Sequence, residues 1–355
     1  MWPFTPKPAR LNLALQGGGA HGAFTWGVLD ALLEQAPFSI AAASGASAGA
    51  MNAVALAHGL AVGGRDGARQ SLETFWTAIG SQLPFDGWVV GEGDEIGLHP
   101  GVRLWMQWAQ GLTPEQLNPL DLNPLRNILQ KQIDFERLRR PDALPLHIAT
   151  THANSGQLRL FGNDSLDCDV LLASGCLPMI HRAVLIDGEP HWDGAYSANP
   201  ALHPLLFDRR AAADTLLVLL APLAWMQAPQ GTAEIRERAL AIAFNNTLLR
   251  ELGLLAQLQP QARSSLLWRA GPIERRLVRS RWHLIDAHPS LAALSSETRM
   301  IAHLPFLLRL RDAGRAQAIE WLAGAGRDVG RQSSVDLLSR FAPDARAHAL
   351  SVSHA

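Results

Sequence analysis

This chain contains little cysteine and has almost no net charge. Its 355 residues include two cysteines, Cys168 and Cys176, and neither belongs to a cluster of cysteines or histidines. This excludes a disulfide-rich secreted scaffold and argues against structural zinc, so we expect two buried thiols in a reducing compartment. The 31 basic and 32 acidic side chains leave a net charge of −1. Neither nucleic-acid binding nor long-range attraction to an anionic membrane is indicated.

Long hydrophobic runs are missing as well. The longest, residues 215–221, stops at Pro222 and is far shorter than the roughly 20 residues of a membrane span. Residues 1–8 lack the apolar core of a signal peptide. We therefore expect a cytoplasmic protein. Peripheral contact with a membrane and assembly into a homo-oligomer are both left open.

The remaining composition and patterns predict a globular α/β protein. Hydrophobic residues make up 48% of the chain and charged residues 18%, which is typical of a folded domain. Apolar strands alternate with helical patterns in residues 11–60, and further strands are predicted around 146–151, 157–161 and 215–220. This alternation predicts helices flanking a mainly parallel central sheet. Beyond residue 231 the pattern is mostly helical, with one more strand at 281–286.

Residues 81–124 interrupt the alternation with many prolines and glycines. The segment carries Trp88, Trp105 and Trp108 among other large apolar residues. Such residues could line an acyl pocket, form a lid or touch an interface, where tryptophan is favoured. The alternative is that they pack against the body of the protein or against another subunit. We expect an insert in the core fold.

A glycine-rich loop, Gly17-Gly18-Gly19-Ala20-His21-Gly22, lies between a predicted strand at 11–16 and a predicted helix at 23–35. Free backbone N–H groups at such a junction face the positive end of the helix dipole and can hold an anion. The spacing also satisfies the G-x-G-x-x-G dinucleotide pattern, which requires an acidic residue about twenty positions later. Residues 39–46 contain no Asp or Glu. The oxyanion of an acyl-transfer intermediate is therefore the better candidate.

The segment Gly45-Ala46-Ser47-Ala48-Gly49 is the chain's only G-x-S-x-G. In a nucleophile elbow this pattern places a serine on a strained turn between a strand and a helix, and small flanking residues avoid collisions there. Ser47 is our candidate nucleophile. A serine hydroxyl also needs a base to accept its proton.

A third segment supplies that base. The order of a glycine-rich loop, G-x-S-x-G and then Asp193-Gly194-Ala195 resembles the patatin-like phospholipases, or lipid acyl hydrolases. Residues 173–178 and 193–200 also resemble the Ala-Ser-x-x-x-Pro and Asp-Gly-x-x-x-Asn-Pro segments of this family. The resemblance implies a three-layer α/β/α fold, with Ser47 as nucleophile, Asp193 as general base, and Gly17, Gly18 and Gly19 as the oxyanion-hole loop. Asp187, in the competing Asp187-Gly188 pair, fits a hairpin turn better.

The chain departs from the family pattern at two positions. Alanine at 195 replaces the commoner glycine, and His21 stands where Arg or Lys is usual. His21 could be cationic or neutral near pH 7, so it could contact an anionic headgroup or simply face solvent. Residues 243–247 and 330–336 resemble a C-terminal extension found in a bacterial subset of the family. The resemblance implies no activity for that extension.

The resulting expectation is a serine esterase that cleaves acyl esters of phospholipids, lysophospholipids or related lipids without a metal or other cofactor. We place its catalytic domain at 11–230 and the mostly helical extension at 231–355. A thioesterase or polyester hydrolase would use the same Ser-Asp dyad, and a non-catalytic lipid- or nucleotide-binding module would not acylate Ser47. A Ser-His-Asp hydrolase would instead draw its base from the histidines after Asp193, namely His203, His283, His288 and His303.

Overall fold

The computed structural model describes residues 8–82, 87–109, 111–222, 227–264 and 271–342. Parts of the predicted insert (83–86 and 110) and of the predicted extension (265–270 and 343–355) lie outside the described residues. The strands are β1 Arg10–Leu15, β2 Ser39–Gly45, β3 Val89–Val90, β4 Gly97–Leu98, β5 Leu146–His152, β6 Leu158–Phe161, β7 Val184–Ile186, β8 Glu189–Asp193, β9 Asp214–Leu219 and β10 Arg281–Asp286.

The helices begin with α1 Gly22–Gln35 and α2 Ala48–Gln82, which is broken by non-helical backbone at Gly63 and Gly64. The others are α3 Pro100–Ala109, α4 Pro114–Leu117, α5 Pro124–Gln132, α6 Phe135–Leu138, α7 Cys168–Ser174, α8 His203–Phe207, α9 Thr232–Ser264, α10 Pro272–Arg279, α11 His288–Leu291, α12 Leu304–Ala323 and α13 Leu337–Phe341. Among the described residues no helix is both long and apolar enough to cross a membrane.

The main sheet runs in the order β10, β9, β1, β2, β5, β8, β7, and β6 also pairs with β5. Strands β10, β9, β1, β2 and β5 are parallel to one another, whereas β6, β8 and β7 pair antiparallel. The predicted mainly parallel sheet flanked by helices is confirmed. Because the parallel strands share one direction, the loops after β1 and β2 emerge at the same edge of the sheet, where ligands of such folds bind.

Each face of the sheet carries its own hydrophobic core, which gives the three layers. Helices α1, α2 and α12 cover one face together with inward side chains such as Leu13 and Val218. Helices α8, α9, α10 and α13 cover the other face with side chains such as Leu217 and Trp282. Both faces of the parallel strands are therefore buried, as such sheets require.

The C-terminal region is built into this fold. It supplies β10 to the sheet, α12 to one face, and α9, α10 and α13 to the other. Helix α12 lies along α1, where the Arg311 guanidinium stacks 5.1 Å from the Trp26 ring centroid and Arg315 pairs with Glu34 at 2.6 Å. The division of the chain near residue 231 remains a prediction. The sheet and both hydrophobic cores contain residues from both sides of it.

Asp214, at the start of β9, joins the C-terminal region to the sheet. Its side chain is buried and accepts hydrogen bonds from the Arg281 guanidinium at 2.7 and 2.9 Å, His283 Nε2 at 3.1 Å and the Gly330 amide at 2.9 Å. His283 Nδ1 in turn lies 2.9 Å from the Ser334 hydroxyl. Part of the 330–336 segment, for which the sequence implied no activity, is therefore held on β9 and β10.

This network sets the pKa of Asp214. Burial alone would raise it, but hydrogen bonds from His283, Arg281 and the Gly330 amide outweigh burial and lower the pKa from 3.8 to about 2. A carboxyl whose pKa is lowered on folding stabilises the fold above its unfolded pKa and loses that contribution as pH falls through the folded value. The shift corresponds to roughly 2.5 kcal/mol at neutral pH.

We predict that Asp214→Asn lowers the free energy of unfolding at pH 7 by about 2 to 3 kcal/mol. The difference from the wild type should shrink below about pH 4 and be largely lost by about pH 2, because the wild-type carboxylate takes up its proton over this range. Urea titrations at several pH values measure this. Asp142→Asn is the control, since Asp142 pairs with Arg140 at the exposed surface, where such pairs contribute about 1 kcal/mol or less. A loss in Asp214→Asn that does not change with pH would contradict the account.

Candidate active site

The predicted elbow forms between β2 and α2. Ser47 has a φ of +54°, in the left-handed region that non-glycine residues rarely adopt. At Gly49 a Cβ atom would lie 2.1 Å from the carbonyl oxygen of Leu15, so the first turn of α2 approaches β1 too closely for any side chain there. The half-buried Ser47 therefore sits on a strained turn at the carboxyl edge of the sheet, as the G-x-S-x-G pattern predicts.

Ser174, the last residue of α7, holds the elbow from the other side. The Ser47 amide lies 3.1 Å from the Ser174 carbonyl oxygen and 3.0 Å from its hydroxyl oxygen, and both accept from it. Ser174 is fully buried. The Ala-Ser-x-x-x-Pro segment, which the sequence identified without giving it a task, thus fixes the backbone of Ser47.

Asp193 ends β8, the strand that runs antiparallel to β5. It pairs with Thr150, two residues beyond the position of β5 that pairs with Gly45 at the end of β2. This register places Asp193 at the level of the elbow. The residue is 1% exposed, and its Oδ1 accepts from the Ala195 amide at 2.8 Å. Its backbone is held as well, because its amide donates to the Cys176 carbonyl at 2.8 Å.

The pKa of Asp193 is raised from 3.8 to about 7. Burial is the main cause, since it disfavours the charged carboxylate. Hydrogen bonds from the Ala195 amide and the Ser47 side chain act in the opposite direction and stabilise the charge. The structure therefore brings Ser47 and Asp193 together and leaves the carboxyl far more basic than an ordinary aspartate.

The competing Asp187 lies elsewhere. Asp187 and Gly188 have φ values of +53° and +82° and connect β7 to β8. Positive φ at both central residues is the signature of a tight hairpin turn. The predicted hairpin is confirmed.

The glycine loop lies directly on the elbow. A Cβ atom at Gly17 would stand 2.8 Å from Ser47 Cβ and 2.7 Å from the Ala46 carbonyl oxygen. The Gly17 amide already donates to Asn199 Oδ1 at 2.7 Å. Asn199 belongs to the Asp-Gly-x-x-x-Asn-Pro segment, and sequence reasoning gave it no task. Its fixed spacing from Asp193 was the signal that could have identified it.

In the glycine loop and the elbow, three backbone N–H groups have no acceptor among the described residues: those of Gly18, Gly19 and Ala48. Gly18 and Gly19 were predicted from the glycine loop, whereas Ala48 was missed. Its signal was its position, because the amide after an elbow nucleophile commonly serves an oxyanion hole. Gly17 is the member of the predicted trio whose N–H is already engaged.

His21 is neither solvent-facing nor cationic, contrary to two interpretations that the sequence left open. The residue is 4% exposed, and its pKa is lowered from 6.5 to about 3, first by burial and then by the nearby Arg299 charge. Its Nε2 lies 2.7 Å from the Thr298 hydroxyl. A neutral, buried imidazole gives no support to contact with an anionic headgroup.

The histidines of the alternative Ser-His-Asp interpretation lie on β10, at the starts of α8 and α11, and directly before α12. His283 is completely buried between Asp214 and Ser334, on β10 rather than at the elbow. His203 begins α8 and lies 3.4 Å from Glu251, and His288 begins α11. His303 directly precedes α12. Within the described ranges no group of three or more His, Cys, Asp or Glu side chains is arranged to hold a metal ion.

Comparisons with known proteins identify the family. The family model described as patatin-like phospholipase matches residues 13–206, more than half of the chain. Among solved structures, VipD from Legionella pneumophila matches with a TM-score of 0.39 and 15% identity over 98% of this chain and 75% of that chain. A search of curated proteins finds no match. The family assignment rests on the family model, whose range includes the glycine loop, Ser47 and Asp193. The chain therefore belongs to the patatin-like phospholipase family of lipid acyl hydrolases.

Proposed function

We propose that this protein is a serine acyl-ester hydrolase in which Ser47 is the nucleophile and Asp193 the general base. The observation that carries the proposal is the buried Asp193 carboxyl. It lies beside the hydroxyl of a serine on a strained elbow, and its pKa is about 7. Phospholipids, lysophospholipids and related lipid esters are the proposed substrates.

The reaction follows from these two groups. Ser47 Oγ attacks the ester carbonyl carbon as its proton passes to Asp193. The tetrahedral intermediate collapses to an acyl-serine as Asp193 returns that proton to the leaving alcohol oxygen. Water then attacks the acyl-serine carbonyl, giving one proton to Asp193. Collapse of the second intermediate restores the Ser47 hydroxyl with that proton and releases the carboxylic acid.

A pKa near 7 suits Asp193 to this task. An aspartate with an ordinary pKa of about 3.9 is a weak base for a serine hydroxyl. General catalysis is most effective when the pKa of the base lies near the working pH, because the group is then both sufficiently deprotonated and sufficiently basic. The burial of Asp193 therefore serves the chemistry.

The amides of Gly18, Gly19 and Ala48 are the proposed oxyanion donors, because their N–H groups have no acceptor among the described residues. Gly17 supports the loop instead, since its own N–H is bonded to Asn199. An important donor of this kind stabilises the transition state by about 3 to 4 kcal/mol. The substrate carbonyl oxygen would lie between the glycine loop and the first turn of α2.

A lipid surface is the proposed partner of the Trp-rich insert. On α3 the side chains of Leu104, Trp105 and Trp108 are 69%, 51% and 68% exposed. The Trp105 ring also lies 6.1 Å from the ring of Trp88, which is exposed as well. Tryptophan and leucine on one exposed helix are typical of segments that enter the interface of a bilayer. The site would then meet its substrate at a membrane surface.

Labelling with a fluorophosphonate tests the dyad. We predict that the wild-type protein at pH 7.5 is phosphonylated at Ser47, located by peptide mass spectrometry, and that Ser47→Ala is not labelled at the peptide that contains this position. Asp193→Asn should slow labelling by about 100-fold or more, because the hydroxyl loses its proton acceptor.

Asp187→Asn is the matched control, because Asp187 is also an aspartate followed by glycine but lies in the hairpin turn before β8. This variant should be labelled at the wild-type rate. Equal labelling of Asp193→Asn and the wild type would rule out Asp193 as the base. Absence of Ser47 labelling in the folded wild type would rule out the proposed nucleophile.

For the insert, we predict that the double variant Trp105→Glu, Trp108→Glu binds phosphatidylcholine vesicles at least about fivefold more weakly, measured by sedimentation with the vesicles. The reason is that charged side chains oppose entry into the bilayer interface. Hydrolysis of vesicle phospholipid should fall in parallel, while hydrolysis of a soluble short-chain ester stays the same. Val62→Glu is the control, since Val62 is similarly exposed on α2. Unchanged vesicle binding and lipid hydrolysis in the double variant would refute the role of this surface.

A further inference from the structure

A short helical turn of the C-terminal region, Ser296–Met300, lies against the glycine loop. It makes two different contacts there, one through a side chain and one through the backbone. Neither contact could be anticipated from the motifs, because the turn follows β10 and lies far along the chain from the loop. Both contacts fall on the part of the loop after Gly18.

The first contact joins Thr298 to His21. The Thr298 hydroxyl lies 2.6 Å from the Ser295 carbonyl oxygen and 2.7 Å from His21 Nε2. A hydroxyl has one hydrogen, and the Ser295 carbonyl can only accept. Thr298 therefore donates to Ser295 and accepts from His21, which fixes the neutral imidazole in its Nε2–H form.

No other hydrogen bond holds the His21 ring among the described residues. Its Nδ1 is buried without a partner, and a neighbouring ring, Phe306, contacts it edge-on at 6.5 Å between centroids. Removal of the Thr298 hydroxyl would leave the Nε2–H buried and unpaired, an arrangement that proteins avoid. The orientation of His21 thus depends on Thr298.

The second contact is made by the Arg299 carbonyl. Gly19 has a φ of +60°, and a Cβ atom there would lie 2.3 Å from the Arg299 carbonyl oxygen. Only glycine permits both this conformation and this approach. The turn therefore packs directly on the backbone of the residue whose amide is a proposed oxyanion donor.

The loop is consequently held at both ends. Asn199 binds the Gly17 amide at one end. At the other, the His21 amide closes a turn on the Gly18 carbonyl at 3.3 Å, and the His21 side chain is held by Thr298. Gly18 and Gly19 lie between these two anchors, and donors are effective only when they are fixed before the reaction.

We propose that Thr298 is a positioning residue for the oxyanion loop, acting through His21, and that the C-terminal region thereby completes the active site. The proposal rests on the proposed function. Glu297, next to Thr298, also binds Arg103 of α3 at 2.8 Å and the Leu98 amide at 3.2 Å. The same turn therefore contacts the Trp-rich insert on one side and the glycine loop on the other.

The test compares Thr298→Val, Thr298→Ser and Thr215→Val in the full-length protein. Valine keeps the shape of threonine without its hydroxyl, and serine keeps the hydroxyl. Thr215 is the matched control because its buried hydroxyl accepts from Asn12 at 3.1 Å on β9, away from the loop. The readouts are kcat and KM for a soluble short-chain ester, the rate of Ser47 phosphonylation, deuterium uptake of the peptide covering residues 17–22, and Tm.

We expect Thr298→Val to lower kcat and the phosphonylation rate about tenfold with KM nearly unchanged, because donors used in the transition state are displaced. Deuterium uptake at residues 17–22 should increase. Thr298→Ser should restore both rates to within about twofold of the wild type. Thr215→Val should lower Tm to a similar extent and leave the rates and the loop uptake unchanged.

Wild-type rates in a folded Thr298→Val protein would overturn the proposal while leaving the Ser47-Asp193 dyad intact. An equal loss of rate in Thr215→Val would also overturn it, because the effect would then be general destabilisation. If the wild type is not phosphonylated at Ser47, the proposed function fails separately. Deuterium uptake still decides in that case whether Thr298 orders the loop, since unchanged uptake in Thr298→Val contradicts the proposal.

Discussion

The burial of one carboxyl group, that of Asp193, is the constraint on which the rest of the site depends. A shift of its pKa from 3.8 to about 7 means that holding the charged form inside the fold costs roughly 4 kcal/mol at neutral pH relative to water. This cost is a net one, because hydrogen bonds from the Ala195 amide and the Ser47 side chain already offset part of the effect of burial. A more exposed aspartate would make the protein more stable and the base weaker, so stability and basicity are opposed at this residue.

The elements around Asp193 serve to keep a strained serine and the amides of the glycine loop in fixed positions. Ser174 fixes the backbone of Ser47, Asn199 holds Gly17, and at Gly49 α2 packs on β1 too closely for any side chain. The C-terminal region belongs to this arrangement. It covers much of one face of the sheet and places the turn Ser296–Met300 on the glycine loop.

Sequence patterns predicted the elements that follow from local chemistry. Strands β1, β5 and β9 were found because buried parallel strands read as short apolar runs, and Ser47 was found because its turn requires small neighbours. The burial of His21 was not predictable, since the side chains that contact it, among them Thr298 and Phe306, lie far along the chain. The bond between the Gly17 amide and Asn199 was missed because the spacing from Asp193 marks Asn199 in the sequence but does not show which distant amide it binds.

The most direct test of the account is the pH dependence of Ser47 phosphonylation, measured beside the pKa of Asp193 from ¹³C NMR of carboxyl-labelled protein. The account predicts that the rate rises with pH through a single ionisation, and that this ionisation and the Asp193 carboxyl share a pKa of about 7. Two results would contradict the claim that this buried carboxyl is the base. One is an Asp193 pKa close to that of an ordinary aspartate, and the other is a pH–rate profile whose pKa differs from that of Asp193.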